Sequence, residues 1–463
     1  MASDPKKQAV LLIHGIGEQR PMDTLRGFVK AVWSSDANVQ HIHASPGVFS
    51  KPDRISESFE LRRLTTTKNK KGIRTDFYEL YWAHLMKGIR VNPVAAWARR
   101  VLWRRPWTLP RPLLGAWVLV VGLLLILLFL ALQTILPENY RILPFLRWVN
   151  GGVFGFFAGI AIPICKNIIG DAACYLDPAP GNIHIRQQIR AKAVALLQKL
   201  NASEDYDRII LVGHSLGSVI GFDMLTFAWA LCNEDIDKSK LHPVLDQVEE
   251  IVAGQHQITA DHVRGLKDLK VERKGGHISR AVYRQRRAAL EAAFQDALAA
   301  HAAAYRQRQR ELQKELQTNG IQWKVSDFLT LGSPLTHAAV LLARDQADLE
   351  SKQNERELPT CPPQLESGKF SYPSGKAVRT PHHAAVFGPT RWTNLYFPAR
   401  WVLLGDFIGG PLRGAFGWGI RDRPVKTRLF GGIFSHTCYW KPEKSQTASH
   451  ITALREALNL LDD

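Results

Sequence analysis

An α/β fold organised around a mostly parallel sheet is what this sequence predicts, on three observations. Short apolar runs of strand length, Ala9–Ile13 and Arg208–Val212, each stop at a glycine-containing turn and lead into a helical stretch. Strands that are apolar throughout are expected where both faces of a sheet are covered. Two later segments, Phe328–Leu335 and Trp392–Phe397, read as further strands of the sheet, and 463 residues suffice for a full α/β core with about 200 residues left for insertions.

Taken in order, Ala9–Ile13 ends at His14-Gly15-Ile16-Gly17, a tight turn, and a helix is expected over Asp23–Trp33. Residues 35–75 are polar and mixed, with Lys68–Lys71 reading as a solvated loop, and Arg74–Tyr81 alternates enough for a strand. Farther on, Ile183–Leu200 and Ser218–Leu231 have helical character. From about Leu241 to Gly320 the sequence is charged and Ala-rich, and Ile278–Leu316 reads as a long helix or helical pair. Its Arg- and Gln-rich faces are expected to be solvated, with a lid, a dimer seam or a regulator-binding arm left open. Ala448–Leu461 reads as a terminal helix.

Composition narrows the function classes. The chain is 46% hydrophobic and 22% charged, so most of it should fold. A formal charge of +18 makes an anionic partner, membrane surface or nucleic acid, the first to consider. Cys165, Cys174, Cys232, Cys361 and Cys438 form no CxxC pair, so reduced thiols are expected rather than a disulfide framework or a zinc site. Met1–Lys7 is short and polar and lacks the apolar core of a secretory signal, so synthesis is expected to begin in the cytosol. There is no GxxxxGK[ST], no HExxH and no Gly-rich dinucleotide loop, and neither cofactor nor metal is expected.

Leu113–Leu136 holds about 24 residues without a charge, enough to cross a hydrocarbon core as a helix. A shorter, Gly-richer run, Val149–Ile164, follows a turn containing Pro137 and Pro144, so the pair reads as a hairpin that enters and leaves one face of a membrane. Before it lie Arg90, Arg99, Arg100, Arg104, Arg105 and Arg111 with Trp97, Trp103 and Trp107 between them. Such interleaving can bind nucleic acid, but directly beside a spanning segment it reads as an interfacial belt and places this flank in the cytoplasm.

The residues with chemistry centre on Arg208-Ile-Ile-Leu-Val-Gly-His-Ser-Leu-Gly217, a GxSxG pentapeptide between a strand and a helix. In that context a strained turn lifts the Ser215 hydroxyl out at a helix N-terminus, where dipole and free N–H groups favour a developing oxyanion. Gly213 and Gly217 are required because side chains there would collide with strand and helix. The oxyanion donors expected are the N–H of Leu216 and one from Gly15 or Ile16; His14 reads as a turn-stabilising residue.

With a strand ending in HGIG, the GHSLG elbow and Phe328-Leu-Thr-Leu-Gly-Ser-Pro-Leu335 in this order, the chain resembles the α/β-hydrolase superfamily, in particular its lipase- and esterase-like members. The resemblance covers the beginning, middle and end of the chain, not the hairpin or the charged insertion, and identifies no substrate. It implies a three-layer α/β-hydrolase fold and the order Ser, acid, His. Relatives place an Asp within a few residues of the strand matched by Trp392–Phe397. This chain has Pro398-Ala399-Arg400 there, so the nearest acid is Asp406, with Asp422 as runner-up and Asp327 disfavoured because it precedes its strand. His436, before the terminal helix, is the expected base; His382 and His383 precede the acid strand, and His450 falls in the helix.

The expected organisation is thus residues 1–110, the N-terminal part of the hydrolase domain with its basic flank; 111–168, the membrane hairpin; 169–240, the elbow part; 241–320, the helical insertion; and 321–463, the part with acid and base. The expected activity is hydrolysis of carboxylic esters, with membrane lipid as the favoured substrate, no nucleic-acid partner, and self-association or regulator binding through 241–320 open. A tethered esterase or thioesterase on soluble substrates, and a non-catalytic membrane interaction protein on a hydrolase scaffold, are the alternatives. A multi-pass place in the inner or another cellular membrane follows, with both termini and the catalytic domain in the cytoplasm.

Overall fold

Six strands run parallel in the computed structural model of the chain, and two more extend the sheet antiparallel at one edge. The structure describes residues 7–16, 20–40, 47–86, 174–177, 179–234, 243–374, 378–399, 405–427, 435–442 and 449–462, with single helical positions between 114 and 132. The strands are β1 (Lys7–Ile13), β2 (Val48–Pro52), β3 (Arg62–Thr66), β4 (Arg74–Leu80), β5 (Arg208–His214), β6 (Val325–Leu331), β9 (Arg391–Tyr396) and β10 (Arg421–Pro424), in the order β10-β9-β6-β5-β1-β4-β3-β2. A separate hairpin joins β7 (Ser371–Ser374) and β8 (Val378–Pro381).

Alternation along the strands feeds two cores. Ala9, Leu11 and Ile13 of β1 point to one face with Ile209 and Leu211 of β5, while Val10, Leu12, Ile210 and Val212 point to the other. Helices α2 (Ile183–Ala202) and α3 (Leu216–Glu234) cover the first face. Helix α1 (Asp23–Val29), continued by a π-helical turn through Ser34, covers the second. So the expected strands pair as neighbours in one sheet, and both faces are dry.

Chain order sets the position of the site. From β1 the chain builds β2, β3 and β4 on one side, then crosses to place β5 and β6 on the other. The order reverses between β1 and β5, and the crevice at their C-terminal ends is where such sheets hold ligands. His14-Gly15 and Ser215 both emerge there.

The insertion folds as α4 (Pro243–Lys274) and α5 (Arg280–Thr318), a pair of long helices. Along most of the pair the Arg and Gln side chains are exposed as expected, but toward the C-terminal end of α5 the expectation of a solvated face fails. Gln309 and Gln313 are fully buried. Gln317 donates to the carbonyl of Asp207, Gln313 to Trp323, Gln309 to Thr390 and Arg306 to Trp392. The first three of these carbonyls lie one or two residues before β5, β6 and β9, so α5 is a strap across the N-terminal edge of the sheet. Its amides satisfy carbonyls that the strands leave unpaired there. Burial lowers the Arg306 guanidinium to about 10. Helices α6 (Gln346–Asn354) and α7 (Ser449–Leu458) complete the body.

Among the described residues one helix, α3, is long and apolar enough to cross a membrane, and it is the core helix behind the elbow. The hairpin over 111–168 and its Arg- and Trp-rich flank lie almost wholly outside the described residues. The described positions from Leu114 to Leu132 are helical, with Val118, Leu125, Leu128, Phe129 and Leu132 exposed. Cys174, Cys361 and Cys438 are buried and Cys232 is half-buried, all four outside any disulfide.

Candidate active site

Ser215 follows the last residue of β5 with φ of 53°, a left-handed conformation that is strained for a residue with a side chain. The turn closes tightly because its flanks are glycines. A Cβ on Gly213 would lie 2.5 Å from Cα of Ser218, and one on Gly217 would stand against the carbonyl oxygens of Ile13 and His14. Those obstacles are backbone and cannot give way. Gly15 is as constrained, since a Cβ there would lie 2.9 Å from Cβ of Ser215. The turn after β1 thus packs directly on the serine. Leu216 opens α3, so its N–H has no intrahelical acceptor, as the proposed oxyanion donor requires. Ile16, the other candidate donor, lies next to Gly15 and packs partly against the core.

Asp406 and His436 meet. Nδ1–H of His436 donates to Oδ2 of Asp406 at 2.9 Å, while Oδ1 of Asp406 accepts from the amides of Ile408 and Gly409 at 2.9 and 3.0 Å. Burial would raise the Asp406 carboxyl, but the imidazole and the bonds from His436, Gly409 and Tyr439 hold it below the usual carboxylate range. It is thus an anion 1% exposed. With Nδ1 protonated, Nε2 of His436 carries the lone pair, and this buried atom has no hydrogen-bond partner among the described residues.

Gly332 joins the serine to this pair. The amide of Ser215 donates to the carbonyl of Leu331 at 2.9 Å, and a Cβ on the next residue, Gly332 (φ 57°), would lie 2.7 Å from Oδ2 of Asp406 and 3.0 Å from Nδ1 of His436. Only glycine lets β6 end in that gap. Oγ of Ser218 sits 2.6 Å from both the carbonyl of Ser215 and Oγ of Ser333, tying the elbow to the Leu-Gly-Ser-Pro turn.

The competing carboxylates are occupied elsewhere. Asp422 accepts from Asn394 at 2.7 Å and from the amides of Leu412 and Arg413 at 3.0 Å, which braces the loop before β10. Asp327 pairs with Arg208 and Arg391 at 2.7 and 2.8 Å at the opposite edge of the sheet. Loss of one partner from such a buried pair costs about 3–5 kcal/mol. The other histidines are engaged as well. His14 donates from Nδ1 to the carbonyl of Gly15 and stacks on Trp82, and burial lowers it to about 4. Nε2 of His382 lies against the carbonyl of Gln364 and Nε2 of His450 against that of Lys441, while His383 is exposed.

Two participants were not singled out from sequence. The Tyr439 hydroxyl donates to Oδ2 of Asp406 at 2.8 Å, the oxygen that also serves His436. His214 donates from Nε2 to the carbonyl of His436 at 2.9 Å and packs edge-on against Trp440; burial lowers it to about 3 and keeps it neutral. The signal for His214 was its place inside the GHSLG elbow; a Tyr three residues after a candidate base carries no signal of its own. No family model, no curated protein and no solved structure matches this chain.

Proposed function

We propose that this chain is a membrane-anchored serine hydrolase of α/β-hydrolase architecture that cleaves carboxylic esters of lipids. The observation that carries this reading is the buried Asp406–His436 hydrogen bond, which leaves Nε2 of His436 unpartnered in a cluster shared with the strained elbow of Ser215. In the proposed reaction Nε2 takes the proton as Oγ of Ser215 attacks the acyl carbonyl. The oxyanion accepts from the N–H of Leu216 and of Gly15 or Ile16. His436 returns the proton to the departing alkoxide, and the alcohol leaves. Water, deprotonated by His436, then attacks the acyl-enzyme and releases the carboxylic acid and the serine. Tyr439 and the two amides on Asp406 hold the carboxylate that orients the imidazole.

The test is labelling with a fluorophosphonate, which reacts with an activated serine whatever the substrate. Wild type should label at Ser215 and Ser215→Ala should not; an unlabelled wild type would remove the catalytic reading. Lipid as substrate rests on access, since a site held at a bilayer surface meets lipid esters first. Faster turnover of short soluble esters than of bilayer lipids would favour a tethered esterase.

Topology follows from the shared oxyanion site. Gly15 precedes the 111–168 hairpin and Ser215 follows it, yet the two lie side by side, so the intervening chain can cross a membrane only an even number of times, two or none, and we take two. With the Arg-rich flank inside, a cysteine introduced by Asn139→Cys should react with an impermeant reagent from outside, and those from Ser3→Cys and Asp462→Cys should be protected in intact cells. Reaction at Ser3→Cys and Asp462→Cys from opposite sides would overturn the arrangement.

A further inference from the structure

Beyond Val252 on α4 and before Ala302 on α5, the two helices leave the body of the protein, and of their residues only Leu269 is buried. They stay paired along a seam in which His262 stacks on Phe294 with ring centroids 4.0 Å apart, Gly265 faces Leu290, and the Arg273 guanidinium covers the Tyr283 ring. At 1.5 Å per residue the arm extends about 30 Å beyond Val252 and Ala302.

The tip is strongly basic. From Arg264 to Arg287 there are nine Lys and Arg against two acidic residues, a net of +7 out of the chain's +18. All nine are exposed. Arg286 pairs with Glu272 and Arg264 with Asp261, whereas Lys270, Lys274, Arg280, Arg284 and Arg287 have no acidic partner among the described residues. Val271 and Val282 stand among these cations at 62% and 37% exposure. Cations surrounding a few exposed aliphatic side chains are what an anionic lipid surface accepts, the charges meeting phosphates and the apolar tips entering between headgroups. A second copy would bring one +7 tip against another. A single-stranded nucleic acid would call for bare aromatic platforms, and the one tyrosine at the tip lies under Arg273.

We infer that the tip of the α4–α5 arm docks on anionic phospholipid headgroups, so that the body is held to its bilayer at a second point. The inference rests on the membrane reading proposed above and is independent of the hydrolase reading. It is tested on the full chain, in a background lacking the native thiols, with a fluorophore on the cysteine of His277→Cys and a headgroup-located quencher lipid. Flotation with phosphatidylcholine vesicles first reports the anchor itself. In floated protein, quenching should be several-fold stronger when phosphatidylglycerol is included, and should fall to the phosphatidylcholine level in 1 M salt, where screening acts within about 3 Å. The combined variant Arg273→Gln, Arg280→Gln, Arg284→Gln and Arg287→Gln should lose the difference, with helical circular dichroism reporting that it is folded; if it is not, the lipid and salt dependence of His277→Cys alone decides. Equal quenching in both lipids, or quenching that salt leaves unchanged, would overturn the inference. Release of the tip from anionic vesicles by an added oligonucleotide at equal phosphate concentration would overturn it in favour of nucleic acid. A protein that floats and shows the lipid-dependent quenching but takes no fluorophosphonate would refute only the hydrolase reading.

Discussion

Ser215→Ala is expected to lower kcat for ester hydrolysis by about 10⁴-fold or more, with little change in melting temperature. In the proposed reaction the hydroxyl supplies the nucleophile and little packing, and Ala meets the same φ of 53° that Ser already adopts. His436→Ala should fall by a similar factor. The double variant should be no worse than either single one, because serine and base act as a unit and the remaining rate comes from the oxyanion donors and binding. Burst and steady-state kinetics on a chromogenic ester measure all three. A Ser215→Ala protein within about tenfold of wild-type turnover would remove Ser215 as nucleophile.

The comparison of Asp406→Asn with Asp422→Asn should give the next largest effect and divide it cleanly. In Asp406→Asn the amide oxygen can still accept from Ile408 and Gly409, so the loop keeps its shape. The amide nitrogen then faces Nδ1 of His436 and favours the tautomer with the proton on Nε2, the wrong atom for a base. The expected loss in kcat is about 10³–10⁴-fold with KM nearly unchanged. Asp422→Asn weakens acceptors for Leu412, Arg413 and Asn394, so it should cost about 1–3 kcal/mol of stability and leave kcat within a few fold. The reverse pattern would make Asp422 the acid.

Legibility in the sequence followed burial on two faces. β1 and β5 are largely apolar on both sides of the pleat, β6 and β9 are buried on both sides around Phe328, Leu329, Leu331, Trp392 and Leu395, and each has a glycine or proline at or within two residues of its end, so their runs stand out. β3, with Leu64 as its one apolar residue, does not, and neither does β2, because an edge strand needs no apolar pattern: Phe49, Ser50, Lys51 and Pro52 of β2 are exposed, and charge and proline are how edges are kept from pairing further. β10, Arg421–Pro424, is hidden for the same reason. Ser215, His436 and the glycines around them were legible because a tight turn restricts residue type. Asp406 was reached through chain order, and what sets it apart from Asp422, another acid that follows β9 in the chain, is its hydrogen bond to His436, which only the folded chain displays. Tyr439 and the buried glutamines of α5 were out of reach, because their partners are backbone or carboxylate atoms contributed by other segments.

The strap has a mechanical consequence. Thirty-nine residues of α5 run as one helix from the basic tip to the floor of the sheet, and the floor is gripped at the carbonyls of Asp207, Trp323, Thr390 and Trp392. A lever clamped at several points along its short end cannot swing independently of what it is clamped to. Torque applied at the tip must shear those side-chain bonds or tilt β5, β6 and β9 together, and these strands bear the serine, Gly332 and the lead-in to the Asp406 loop at their far ends.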